Sequence, residues 1–455
     1  MVKEAESQND WSGLSPEDRR EVRFNRWLSP MGVQFPNAEV EKNYKNRVAR
    51  FIKAIKLEKP DRVPVLLPTQ FFPAHYAGSS LKTVMYDYEE LKRLWIQFLN
   101  DFEFDGSIGF SSSLVLPGRM LEMIDYKLQV WPGHGLGDRV SSYQYVECEN
   151  MKPEEYDALI SDPTDFLLRS FLPRSSGAFA GLAKLSQMTP FIGIPVAYLL
   201  QFADPEIRSS VQAVLDSAME GMKWIGAVME VEMAARMKGV PNVLGGMCGA
   251  PFDLLGDMLR GTKGIMKDMY QRPSKLIEAM EKITPILIRE AVNAANMSGC
   301  PLIFMPLHKG TGGFMSNEQF KTFYWPTFKK VMLGLIEEGL VPLPYAEGDY
   351  SQRLEIIRDM PKGKVIWYFE RMDMNRAKDV LSDNACIAGN ISGSVLNTGT
   401  PEDVRQECRR LIGIFADKGG YILAGAVHMD EGNPENLAAI MAAAKEYGVN
   451  HQTAP

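Results

Sequence analysis

The chain has 455 residues, 45% of them hydrophobic and 24% charged, with a formal net charge of −7 and a pI near 5.5. These proportions suit a globular protein with a large core, and no basic run has the density that an electrostatic nucleic-acid binder needs. The start, Met1-Val2-Lys3-Glu4-Ala5-Glu6, lacks the apolar core of a signal peptide, and no run is long and apolar enough to span a bilayer. A cytoplasmic location is therefore the default expectation. Cys148, Cys248, Cys300, Cys386 and Cys408 are scattered, odd in number and without a C-x-x-C pair, which argues against a disulfide framework and an all-cysteine zinc site.

Residues 1–45 are polar with Trp11, Trp27 and Phe35 interspersed, and read as an N-terminal arm packed on the following domain, 46–450, or on a partner subunit. Strand-like runs then recur between helical patterns: Arg62–Leu67, Asp105–Phe110, Pro241–Met247, Pro301–Leu307, Leu340–Tyr345, Lys364–Phe369, Ala385–Ile391 and Tyr421–Ala426. Val140–Glu147 alternates like an antiparallel strand outside that series, and residues 150–238 read as a helical insertion. Leu276, Met280, Ile283, Leu287, Ala291 and Ala294 mark one apolar helix face, which Pro285 should kink. Ser316 with Gln319 predicts a capping box. Thr400-Pro401 and Asn433-Pro434 predict helix starts, and Gly419-Gly420 a helix stop. Eight strands separated by helices predict an α/β fold of the (β/α)8 TIM type, with its active site at the C-terminal ends of the strands. No G-x-G-x-x-G follows the first strand, which disfavours a dinucleotide fold.

The residues just past those strand ends are the candidates. His308 and Lys309 follow the fourth strand and open a glycine-rich turn. Gln70, Phe71, Phe72, His75 and Tyr76 follow the first, an aromatic cluster suited to a planar ligand, although aromatics at that density also build cores. Asn390, after the seventh, could orient a ligand through its amide. The 26 methionines read mainly as adaptable core filler.

Gly249-Ala250-Pro251-Phe252-Asp253-Leu254-Leu255 with Arg260-Gly261, Ala388-Gly389-Asn390-Ile391-Ser392, and Ile422-Leu423-Ala424-Gly425 with Asn433-Pro434-Glu435 resemble signatures of the uroporphyrinogen decarboxylase superfamily, in the same order. The resemblance implies one of two activities. One branch decarboxylates uroporphyrinogen, which bears eight carboxylates, without a cofactor. The other moves methyl groups to or from a corrinoid on a small partner protein, commonly with zinc activating a thiol, and some relatives act on methoxylated aromatics. A homodimer is a further expectation from the resemblance.

The decarboxylase pattern has arginines after the first strand and an aspartate after the second. The matching stretches here, residues 68–76 and 110–114, hold neither. Missing cations remove the charge-assisted bonds that a polycarboxylate needs. The thiol-methylating branch holds zinc with H-x-C and a later cysteine. Here those positions read Tyr345-Ala346-Glu347 and Gly425-Ala426. Glu347, His428 and Glu370 are then the residues that could bind zinc as an oxygen–nitrogen site and polarise an ether oxygen. Without metal, His308, Glu347 or Tyr345 could protonate the departing oxygen. The chain has no D-x-H-x-x-G cobalamin motif, so a corrinoid would come with a partner. Methyl transfer to or from that corrinoid is the leading expectation, ahead of a carboxy-lyase and of a non-catalytic barrel that binds a tetrapyrrole or small ligand.

Overall fold

Short apolar strands that must lie parallel need a long return connection, and a helix packed on the outer face supplies it. The structure, a computed structural model, describes residues 11–67, 69–106, 114–139, 143–186, 194–425 and 430–449. Among the described residues the strands are β1 (Val65–Leu66), β2 (Gln129–Pro132), β3 (Gly135–Leu136), β4 (Gln144–Tyr145), β5 (Gly246–Met247), β6 (Leu302–Leu307), β7 (Val341–Asp349), β8 (Ile366–Arg371), β9 (Cys386–Ile391) and β10 (Tyr421–Gly425). Seven form one parallel sheet in the order β1-β10-β9-β8-β7-β6-β5, and β3-β2-β4 form a small separate sheet. Of the predicted strand Val140–Glu147, Gln144–Tyr145 form β4, antiparallel to β2, and residues 140–142 lie outside the described residues.

The predicted strand Asp105–Phe110 is described only at Asp105 and Gly106. Gly106 pairs in parallel with Leu66, and its carbonyl accepts the Leu67 N–H at 3.0 Å. A Cβ at Gly106 would stand 2.5 Å from Val243 Cγ1, so this segment lies between β1 and the run entering β5. Asp105 is fully buried and accepts from Arg62 at 2.6 Å and from the Val65 N–H at 2.9 Å, which ties the segment to β1. The architecture is a (β/α)8 barrel of the TIM type.

The arm closes the N-terminal end of the barrel. Phe24 and Trp27 of helix Pro16–Leu28 join Tyr44, Val48 and Phe51 of helix Ala38–Ile55 in one buried cluster with the inward side chains of the strands. That second helix runs through residue 45, so arm and barrel share it. Most predicted helix signals have their expected partners: Ser316 and Gln319 cap each other, as do Thr400 and Asp403. Gly420 takes φ +84° just before β10. Helix Pro273–Ser298 runs unbroken through Pro285. The strand β7 is longer than its apolar pattern predicts, because Gly348 at φ +77° absorbs a bulge and lets Asp349 pair with Arg371.

Between residues 150 and 238 the described chain is helical, ending in the 33-residue helix Pro205–Met237. One side of that helix packs on helices Tyr88–Asp101 and Gly118–Met123, and Trp224 donates its indole N–H to the Val115 carbonyl at 2.8 Å.

Candidate active site

Strand parity decides what reaches the mouth. Successive side chains of a strand point to opposite faces. Ile303, Met305, Trp367, Phe369 and Leu423 pack outward against the helices, whereas Leu302, Phe304, Leu343, Tyr345, Tyr368, Ala388 and Ala424 fill the barrel. Pro306, Tyr345, Tyr368 and Ala388 are in register across β6, β7, β8 and β9. One inward step further along each strand gives His308, Glu347, Glu370 and Asn390. An apolar barrel interior thus ends in a polar layer at the C-terminal mouth, the end that carries the chemistry in this architecture.

That layer is built around His308. Its Nδ1 lies 2.6 Å from Asp257 Oδ2 and its Nε2 lies 3.6 Å from Glu347 Oε1. The imidazole keeps 44% of its side-chain surface and Glu347 keeps 32%, so a ligand in the mouth can touch both. Lys309 is buried, and its ammonium pairs with Asp257 Oδ1. The ammonium can lie across the helix because residue 256 is glycine: a Cβ there would stand 2.9 Å from Lys309 Cδ and Cε.

Asp253 and Asp257 come from the turn that follows β5. Pro251 opens helix Pro251–Leu254, which continues into a π-helical turn, Leu255–Arg260. Asp253 is almost fully buried. It accepts the backbone N–H of His308 at 3.0 Å, that of Lys309 at 2.8 Å and the Tyr324 hydroxyl at 2.5 Å. It therefore holds the backbone on which His308 and Lys309 sit. From below, Gly310 passes so close to Tyr350 that a Cβ would stand 2.4 Å from its hydroxyl oxygen.

The electrostatics follow from this crowding. Burial raises Glu347; the charge of His308 pulls it back, but Glu370, Asp253 and Asp257 push it further up, to about 7. Burial works against a charged His308, yet the Asp257 hydrogen bond and the charges of Glu347 and Asp257 overcome it and raise the imidazole to about 9. Burial also opposes ionisation of Asp257, but the His308 hydrogen bond and charge, with Lys309 beside them, hold its carboxyl below the usual range. Burial, with Asp257 nearby, pushes Asp253 up. Near neutral pH the site is an imidazolium held by a carboxylate and facing a carboxyl group poised to exchange a proton. Replacing Asp257 by Asn removes the charge and the strongest support of the imidazolium. The expected result is a His308 ring-proton NMR titration that moves down from about 9 towards the ordinary histidine value of about 6.5.

The other predicted residues are placed as follows. Tyr345 lies one layer below the mouth, 2% exposed, with ring centroids 6.0 Å from Phe304 and 4.9 Å from Tyr368. Glu370 accepts the Gly348 N–H at 2.8 Å, and Asn390 donates to the Met372 carbonyl at 2.9 Å. Gln70 is buried. Phe72 is fully buried against Phe98 and Phe102, and Tyr76 packs beside it with its hydroxyl on Asp101. His75 is exposed at the end of the short helix Phe72–Tyr76. The aromatic cluster is thus mainly packing between helices, as its apolar surface favours. His428 lies outside the described residues. Among the described residues no three histidine, cysteine or acidic groups are arranged to hold a metal, so Glu347 and Glu370 do not by themselves make a zinc site.

Asp253 and Asp257 are the residues that sequence reasoning missed. Their signal was a carboxylate pair spaced i, i+4 at the start of the helix after a barrel strand.

A sequence model described as uroporphyrinogen decarboxylase (URO-D) matches residues 202–447. Uroporphyrinogen decarboxylase from Syntrophotalea carbinolica is 25% identical over 205 residues, covering 43% of this chain and 57% of that protein. The enzyme of the same name from Geobacter metallireducens is 27% identical over 201 residues, covering 43% and 56%. The chain thus spans little more than half the length of the curated relatives it matches. A solved methyltransferase from Methanosarcina mazei shares the fold, with a TM-score of 0.56 at 17% identity, covering 88% of this chain and 98% of that one.

Proposed function

The chain belongs to the uroporphyrinogen decarboxylase (URO-D) family, and from that premise we propose that it is an enzyme transferring a methyl group between a small methylated substrate and a corrinoid carried on a separate partner protein. A methoxylated aromatic compound is the substrate class proposed. The observation that carries this reading is the Asp257–His308–Glu347 arrangement, with Glu347 raised to about 7. An aryl ether gives up its methyl group reluctantly because a phenolate departs. A carboxyl group that is half protonated near neutral pH is a matched general acid for that oxygen.

When docked, the corrinoid would supply the cobalt that accepts the methyl group. The chain's own residues do the rest. The methyl–oxygen bond breaks, the oxygen takes the Glu347 proton, and a phenol leaves. The new Glu347 carboxylate is stabilised by the His308 imidazolium 3.6 Å away, which Asp257 keeps charged and oriented.

The competing carboxy-lyase reading meets an unfavourable field. Asp253, Asp257, Glu347 and Glu370 surround the described mouth, and its lysine, Lys309, is already paired with Asp257. The cations of the described mouth, Lys309 and the His308 imidazolium, already face Asp257 and Glu347, which leaves them less available to a substrate rich in carboxylates.

The test uses purified protein, a reduced corrinoid protein and a panel of methoxyarenes, with methyl–cobalt formation followed by absorbance. Methylation with at least one methoxyarene is expected. No methylation with any of them, together with loss of carboxylate from uroporphyrinogen, would overturn the proposal. Zinc is the other cofactor proposed at this mouth, and it would need His428 to join Glu347 and Glu370. Metal analysis of the wild type beside Glu347→Ala and His428→Ala measures it directly.

A further inference from the structure

By its place in the chain, Lys309 is a loop lysine that could reach a ligand. The fold turns it the other way. Its side chain keeps only 10% of its surface in solvent, against 44% for the neighbouring His308. Burying an ammonium is costly unless a counter-charge meets it, and this one meets Asp257 Oδ1. The other oxygen of the same carboxylate, Oδ2, lies 2.6 Å from His308 Nδ1. One carboxylate thus holds two neighbouring side chains, with a separate oxygen for each.

Three residues of the turn after β5 make this possible. Positions three and four apart share a helix face, and Asp253, Gly256 and Asp257 have that spacing. Asp253 accepts the backbone N–H of His308 at 3.0 Å and that of Lys309 at 2.8 Å, which fixes where the lysine stem begins. Gly256 lets the stem pass. A Cβ there would stand 2.9 Å from Lys309 Cδ and Cε, and 3.3 Å from Ile265 Cδ1. Asp257 then receives the ammonium. The Cβ–Cγ torsion of an aspartate is broad, so a carboxylate held at one oxygen can turn. Held at both, it presents Oδ2 to the imidazole in a set direction.

We propose that Lys309 is a positioning residue and not a ligand contact: it pins Asp257 so that the carboxylate aims at His308 Nδ1, and Gly256 is the notch that lets it do so. Only the kinetic consequence rests on the methyl-transfer reading, in which His308 stabilises the Glu347 carboxylate. The pinning itself does not.

Two variants test it from opposite sides, with folding checked by circular dichroism. Lys309→Ala removes the ammonium. Gly256→Ala keeps the ammonium and pushes its flexible stem off the helix, in a backbone conformation that alanine also adopts. Both are read in the ligand-free protein by the imidazole N–H proton resonance of His308, identified by its absence in His308→Gln. The wild type should show it at low field near neutral pH and at low temperature, because Asp257 holds that proton. Both variants should lose it through exchange. Each should also lower kcat for methyl transfer by about 10–10²-fold, the effect of a misplaced catalytic group, with KM unchanged. The double variant should be no slower than Lys309→Ala, because no stem is left for the alanine to displace.

A raised KM with kcat kept in Lys309→Ala would make the lysine a substrate contact and overturn the proposal. So would a wild type without the resonance, a Gly256→Ala protein that retains it, or losses that multiply in the double variant. If the wild type transfers no methyl group, the methyl-transfer reading falls and the resonance alone decides. Its loss in both variants then upholds the pinning, and its persistence in either overturns it.

Discussion

Glu347→Gln is expected to lower the rate of methyl transfer by about 10²–10⁴-fold, the usual contribution of a positioned general acid, and at the same time to make the protein more stable at pH 8. The two effects have one cause. Burial, reinforced by the charges of Glu370, Asp253 and Asp257, raises Glu347 from 4.5 to about 7. A carboxyl raised in the folded state contributes stability that is present below pH 4.5 and lost as the pH rises through 7. At pH 8 the folded protein carries an ionised Glu347 at a cost that glutamine does not have. After allowance for solvent screening of a group that is 32% exposed, the gain is about 1–2 kcal/mol. The wild-type rate should fall as the pH rises through about 7, because the acid form is consumed, and that limb should vanish in Glu347→Gln. Rate profiles and melting curves on the same two proteins provide the check. Unchanged turnover would remove Glu347 from the chemistry, and lower stability at pH 8 would contradict the crowding argument.

The second large effect is expected at Arg353, which is fully buried. Its guanidinium lies 4.6 Å from the centre of the Phe320 ring. It donates to the Gly310 carbonyl at 3.1 Å, the Thr311 carbonyl at 3.3 Å and the Met315 carbonyl at 2.5 Å, and it pairs with Asn317 Oδ1. One side chain therefore closes the turn that begins at His308 and ends at the next helix. Hydrogen bonds to a charged group are each worth about 1.5–3 kcal/mol, and burying the cation takes back part of that sum. Arg353→Met keeps much of the volume and removes every donor, for an expected loss of about 3–5 kcal/mol in urea unfolding. Arg353→Lys should recover less than half of the loss, since one ammonium cannot serve carbonyls spread along the turn. A loss below about 1 kcal/mol would mean that the turn is held by Asp253 alone. Turnover in Arg353→Lys should fall along with the stability, because His308 sits at the start of the released segment.

Much of this was legible in the chain, for a physical reason. Apolar runs and helix caps are local, so the strand at Leu302–Leu307, the cap at Ser316 and the double glycine at 419–420 could be read without a structure. His308 was legible as a polar residue just past an apolar run, and Glu347 only through the resemblance, at the position where the thiol-methylating branch has a zinc-binding cysteine. Tyr345 was placed a layer too high because β7 continues past its apolar stretch: backbone pairing with β8 through Asp349 extends it where composition would end it. The aromatic cluster after β1 was ambiguous in principle, since rings that stack on a ligand and rings that stack on a helix have the same composition. Phe72 went to the helix side.

The chain by itself determined a barrel of eight parallel units, the end at which its polar residues emerge, and the absence, at the matching positions, of the arginines of a decarboxylase and the cysteines of a thiol-activating zinc site. Only the tertiary structure decided that Asp257 and Glu347, 90 residues apart, grip His308 from both sides. That is because β5, β6 and β7 are neighbours in the sheet while long helices separate them in the chain. It also decided the charge states. Whether a carboxyl stays near 4.5 or rises to about 7 depends first on how deeply the fold buries it and then on which charges face it across the mouth, and no spacing along one strand carries that information.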